Sequence, residues 1–152
     1  MSSALLPGSS EGGKSAKLPY GYFDHDADIG IIGCGKTLER AFESAAQAMF
    51  AIMSDIAVLH SDVTAQIDFD EADVELALVT WLNLLLAHAR EEQAVFGHFR
   101  LQREGDRWHG AASGQRWDES MERGVEVKGA TLTMLSVRQQ QGNWEARCVV
   151  DV

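Results

Sequence analysis

Residues 73–89 read DVELALVTWLNLLLAHA, apolar nearly all the way round a helical wheel rather than along one stripe. A helix of that kind must be buried on more than one side, so the rest of the chain has to pack around it. It falls short of the roughly 20 apolar residues that a membrane span needs, and Asp73, Glu75, Asn83 and His88 interrupt it. No membrane association is expected, and the segment is read as a core helix.

A second helix is predicted over residues 37–53. Leu38, Phe42, Ala45, Ala46, Met49 and Met53 form one stripe, with Glu39, Arg40, Glu43 and Gln47 opposite and Thr37 as the N-cap. Between the helices, residues 64–70 alternate strictly: Ala65, Ile67 and Phe69 share one face, and Gln66, Asp68 and Asp70 the other. Phe99 and Leu101, the turn signal Glu104-Gly105-Asp106 and then Trp108 predict a hairpin. Residues 125–137 read as further strand, with Gly129 as a bulge where the apolar parity slips. In the last strand Trp144, Ala146, Cys148, Val150 and Val152 share a face, leaving Asp151 on the other. Strands joined by short turns dominate the second half, so the expected fold is α+β: a mostly antiparallel β-sheet structure packed with two main α-helices. Residues 1–17, rich in Ser and Gly and without a secretory signal pattern, are expected to be a disordered leader, and 18–152 a single domain.

Thirteen Lys and Arg against 23 Asp and Glu give a formal net charge of −10, and no local basic cluster offsets it. Direct nucleic-acid binding is disfavoured, whereas a basic protein partner or a cation would be attracted. Cys34 and Cys148 lack any zinc-ligand spacing and are read as buried free thiols of a cytoplasmic protein.

The stretch from Gly30 to Thr37, GIIGCGKT, satisfies the phosphate-loop pattern, in which Lys36 would reach terminal phosphates and Thr37 would hold magnesium. Its context is wrong. The entering segment contains Asp26 and Asp28 where a buried parallel strand is apolar, and Ile31 and Ile32 crowd positions where backbone should curl around phosphate. We read Gly30 to Gly35 as the end of a strand that turns into the helix at Thr37, with glycines supplying unusual dihedrals. A nucleotide-binding enzyme using Gly30 to Thr37 is retained as an alternative.

Another chemical cluster comprises Asp24, His25, Asp26 and Asp28, with Asp151 and the terminal carboxylate of Val152 at the far end of the chain. Carboxylate oxygens are hard ligands for calcium or magnesium. Acidic turn residues are also common on surfaces, and spacing alone does not bring residues 28 and 151 together.

Five ordered motifs add to this reading. His25-Asp26-Ala27-Asp28-Ile29-Gly30-Ile31 resembles the His-Thr-Ala-Asp-x-Gly-Ile signature of the archease family. Gly35-Lys36-Thr37-Leu38-Glu39-Arg40-Ala41-Phe42 is similar to its helix start, and Trp81-Leu82-Asn83 to its buried-helix motif. Val127-Lys128-Gly129-Ala130-Thr131 resembles its Val-Lys-Ala-x-Thr strand, and Asp151-Val152 its terminus. The resemblance runs from about Tyr20 to Val152. It implies a divalent cation, calcium in known members with magnesium an alternative, held by Asp28, Asp151 and the Val152 carboxylate. Asp24 and Asp26 would be auxiliary ligands, and His25 and Lys128 further functional candidates. It also implies a cytoplasmic, non-enzymatic activator of an RtcB-type RNA ligase in tRNA splicing and RNA repair, promoting ligase guanylylation and multiple turnover. Asp26 stands where the family has threonine, and Leu132-Thr133 where it often has Tyr-His.

His60, His88, His98 and His109 lack metal-ligand spacing and receive no role, and no serine or cysteine has an activating context. A chaperone-like binding module without metal chemistry is the remaining alternative. Because the phosphate-loop match lacks its strand context, Lys36→Ala is expected to leave folding and ligase activation near wild type, as checked by thermal melts and a ligase guanylylation assay.

Overall fold

Helix α1 (Leu38–Met53) starts where Thr37 accepts a hydrogen bond from the Arg40 N–H at 3.1 Å, satisfying one of the free donors of the first turn. Helix α2 (Val74–Glu92) is capped by Asp73, whose carboxylate accepts from the Glu75 and Leu76 N–H groups, and it ends on Gln93 in the left-handed conformation. The computed structural model describes residues 18–152, so the expected leader at 1–17 lies outside the described residues.

Two antiparallel sheets accompany the helices. The first contains β1 (Tyr20–His25), β2 (Asp28–Gly35), β6 (Gly129–Ala130), β7 (Ser136–Gln140) and β8 (Asn143–Asp151), in the order β1-β2-β8-β6, with β7 also pairing β8. The second has the order β3-β5-β4, formed by β3 (Val63–Asp70), β4 (Ala94–Glu104) and β5 (Arg107–Arg116). The α+β architecture is therefore the one expected.

Ile31 of β2 and Ala146, Cys148 and Val150 of β8 are buried in a core shared with α1. Aromatic residues fill the space between α1, α2 and the second sheet. Trp108 stacks between Phe42 and Phe69 with centroids 5.4 and 5.7 Å away, and Phe50 meets both Phe96 and Phe99. The buried indoles are satisfied: Trp81 Nε1 donates to the Phe42 carbonyl at 3.0 Å and Trp108 Nε1 to that of Glu71 at 2.9 Å.

Four expectations need correction. Residues 125–137 do not form one strand; only Gly129–Ala130 pairs before β7 begins. The segment is held instead by tertiary contacts, with the Gly124 and Val125 N–H groups donating to the carbonyls of Met53 and Ile52. Gly129 sits in regular register opposite Asp151, and the sheet irregularity falls between Phe96 and His98. Cys34 is exposed rather than buried, because strand parity sends Ile31 and Gly33 toward α1 and Cys34 the other way.

The glycines of β2, expected to supply unusual dihedrals, act instead through size, since none of Gly30, Gly33 and Gly35 has positive φ. A Cβ on Gly33 would strike the backbone of Ala41 and Ala45, and one on Gly35 the backbone of α1 at Arg40 and Ala41. The strand and helix approach so closely that only hydrogen fits. Gly33→Ala is thus expected to destabilise the fold by about 3 kcal/mol, lowering Tm by roughly 10 °C. Gly105→Ala, at φ +60° with open space around it, should cost only about 1 kcal/mol in the same calorimetric comparison.

Candidate metal centre

The antiparallel register of β2 and β8 pairs Ile29 with Val150 and Ile31 with Cys148. One step further, this register sets Asp28 across from Asp151. Alternation along each strand then puts both carboxylates on the face opposite the buried Ile31, Cys148 and Val150. The chain terminus closes the arrangement: the Val152 N–H donates to Asp28 Oδ1 at 3.2 Å, a contact between residues 124 positions apart. Asp28 and Val152 are half-buried and Asp151 is exposed. None of the three carboxylates takes part in an ion pair among the described residues.

The other candidates are placed less centrally. His25 pairs with Asp28 across the β1–β2 hairpin and is half-buried, and its Nδ1 lies 4.0 Å from Asp26 Oδ2. Asp26 occupies the turn itself at φ 53°, with a side chain 93% exposed. Asp24 pairs with Ile29, so it projects to the face opposite Asp28. Lys128 is exposed, and its backbone N–H donates to the Asp151 carbonyl at 2.8 Å. Among the described residues no group of three or more His, Cys, Asp or Glu side chains converges as a metal cluster. The oxygen-rich grouping consists of two side chains plus the chain terminus. It is an all-oxygen donor set, which fits a hard cation such as calcium or magnesium and not a thiophilic one.

Asn83 is a neighbour of this grouping whose part was hidden in the sequence. From the middle of α2 it accepts from the Ala130 N–H at 2.9 Å and donates to the Ala130 carbonyl at 3.1 Å, which occupies the free edge of β6 as another strand would. Arg90, in the last turn of α2, donates to the Val127 and Lys128 carbonyls. Together these bonds fix the segment that pairs with Asp151. Gly30 serves the same end of the sheet: a Cβ there would collide with the Phe23 ring, over which the Arg147 guanidinium lies 5.2 Å from the centroid.

The Gly30 to Thr37 stretch forms no phosphate cradle. Residues 30–35 are extended within β2 between two antiparallel neighbours, and Thr37 spends its hydroxyl on the α1 cap. Two open grooves of about 700 and 660 Å³ lie elsewhere, between α1 and the second sheet, and include Arg40, Glu43, Gln66 and Arg100 in their walls. Neither touches Asp28 or Asp151. Glu43 there is already engaged, with one oxygen 3.3 Å from Arg40 and the other accepting from the Leu101 N–H.

The model of the Archease protein family (MTH1598/TM1083) matches residues 20–152. The chain belongs to the archease family. It is 36% identical over 134 residues to the archease of Sulfolobus acidocaldarius, covering 86% of this chain and 96% of that protein. The archease of Pyrococcus furiosus is 35% identical over 137 residues, with the same shares covered. Among solved structures, the solution structure of Methanobacterium thermoautotrophicum protein 1598 aligns with TM-score 0.75 and 30% identity, over 89% of this chain and 99% of that one. A crystal structure of a Thermotoga maritima archease, described as a possible chaperone, shares the fold with TM-score 0.62 at 19% identity, over 86% and 94% of the two chains. In this archease chain the signature around Asp28, the Asn83 motif, the Lys128 strand and the Asp151-Val152 terminus, though dispersed in sequence, all lie at one end of the first sheet.

The Asn83 bonds can be separated chemically. Asn83→Leu should cost about 2 kcal/mol by stranding both Ala130 groups. Asn83→Asp keeps the acceptor for the Ala130 N–H but sets a carboxylate oxygen against the Ala130 carbonyl, so it should fail to restore stability in denaturant titrations.

Proposed function

We propose that this archease-family chain is a non-catalytic activator of an RtcB-type RNA ligase, acting in tRNA splicing and RNA repair, and that it works with a divalent cation held by Asp28, Asp151 and the Val152 carboxylate. The observation that supports the reading is the hydrogen bond from the Val152 N–H to Asp28 Oδ1, with Ile29 and Val150, the neighbours of Asp28 and Asp151, paired in the β2–β8 register. Carboxylates brought together at this end of the sheet would repel one another, and a cation between them would relieve that repulsion. The family assignment supports a role exerted on a protein partner. Calcium tolerates the irregular geometry that two side chains and a terminus offer better than magnesium does, so calcium is the favoured ion.

A non-enzymatic role agrees with the state of the cysteines. Burial pushes the Cys148 thiol up to about 12, against a lowering contribution from the Thr131 backbone. Cys34, though exposed, is partly desolvated by its neighbours, and this raises its thiol as well, assisted by Glu145 and opposed by Arg147. Both therefore stay protonated near neutral pH, and the thiolate is the nucleophilic form.

Isothermal titration with calcium and thermal melts should show binding and a concentration-dependent rise in Tm, about 2.7 kcal/mol of stabilisation at a hundredfold excess over Kd. Asp28→Ala and Asp151→Ala should each weaken binding at least tenfold and lose stimulation of ligase guanylylation. Extending the chain past Val152 turns the terminal carboxylate into a neutral carbonyl and should weaken binding likewise. Equal calcium affinity in all these forms would remove the site, and steady nucleotide hydrolysis by the purified protein would remove the non-enzymatic role.

A further inference from the structure

Leu132 and Met134 are 62% and 54% exposed, and they lie two residues apart in one loop. The other exposed large apolar side chains among the described residues, Leu18, Val58, Leu76 and Val125, are scattered along the chain. The loop is far from slack. The Thr131 N–H and hydroxyl both donate to the Val149 carbonyl, at 3.0 and 2.8 Å. The Val149 N–H in turn donates to the Thr133 carbonyl, the Thr133 N–H to Thr131 Oγ1, and the Leu135 N–H to the Leu132 carbonyl. Met134 is held at φ 55°, a left-handed conformation that a side-chain-bearing residue adopts at a cost. Two apolar side chains are thus fixed in solvent by a loop pinned to Val149, two residues before Asp151. Exposed apolar groups on a pre-ordered loop lose little entropy on docking and gain from burial.

We infer that loop 131–135 is the docking element for the protein partner, with Leu132 and Met134 entering an apolar pocket whose rim is basic. This rests on the ligase-activator reading and names the surface that reading requires. The rim chemistry follows from charge: the chain carries a net −10, and Asp26, Asp28 and Asp151 lie at the same end of the sheet as the loop. The loop provides contact, while the carboxylates beside it act on the partner's chemistry. Affinity and activation are therefore separable.

The test uses the full chain carrying Leu132→Ser and Met134→Ser together, assayed on the cognate ligase. Because both side chains are exposed, Tm and calcium affinity should match wild type. The concentration giving half-maximal stimulation of guanylylation should rise at least tenfold, with the maximum recovered at saturation. Leu132→Met with Met134→Leu, which keeps the apolar surface, should restore wild-type behaviour. Asp28→Ala should show the reverse pattern, binding the ligase in a pull-down without stimulating it. Stimulation by the serine variant at wild-type concentrations would overturn the docking assignment and leave the activator reading intact. If the wild type itself neither bound nor stimulated the ligase, both would fall. Should sedimentation show self-association that the serine variant abolishes while ligase stimulation is unchanged, the loop would be a contact between copies and the assignment would again be overturned.

Discussion

The antiparallel pairing of β2 with β8 is the constraint on which the rest of the molecule depends. It joins residues near the start of the described chain to its last strand, so the loop-closure entropy of almost the whole domain is paid in forming it. The return comes from burial: Ile31, Ala146, Cys148 and Val150 leave solvent against α1. That burial is deep because β2 presents Gly33 and Gly35 where α1 crosses, and α1 answers with Ala41 and Ala45. The same helix then reaches the second sheet, through the Glu43 carboxylate on the Leu101 N–H and through Phe50 on Phe96 and Phe99. One strand pair and one helix thereby link both sheets.

Much of this was legible in the residues, and the reasons differ by element. Helix α1 carried its apolar stripe and its Thr37 cap as local signals, and α2 its near-continuous apolar run, whereas the Asp73 cap of α2 emerged only with the structure. Strand β3 declared itself by alternation, and the β4–β5 hairpin by Gly105. Residues 125–137 misled because their order is not local: Val125, with Gly124 before it, bonds to the end of α1, and Thr131 bonds to Val149. No period along the segment encodes partners on other elements. Cys34 was misjudged for a related reason, since compartment arguments address reactivity, and strand parity decides which way a side chain points.

The candidate centre shows the same division. Asp24, Asp26 and Asp28 were visible as a local acidic run, yet which of them faces Asp151 depends on register. The hairpin turns Asp24 to the opposite face and leaves Asp26 at its tip, so Asp28 alone of the three shares a face with Asp151. That Asp28 meets Val152 could not be read from spacing, and only the ordered family motifs put the two in one expectation. Asn83 stood in one of those motifs without a stated role. Its amide supplies β6, two residues long, with the edge partner that so short a strand lacks.

A cation at the last residue of the last strand, as proposed, would tie the protein's action to the pairing of that strand. On the proposed reading a cation joins carboxylates at the ends of two paired strands, where β2 and β8 would otherwise begin to fray, so the site is complete only when β8 is paired to its final residue and is lost as soon as that end opens. Cation binding and closure of the sheet are then one equilibrium, and each strengthens the other to the same degree. Loop 131–135 hangs from Val149 on the same strand, and Asn83 and Arg90 tie the adjoining segment back to α2. A partner that engages this end would meet carboxylates, cation and apolar loop as one surface, whose order depends on the strand pair beneath it.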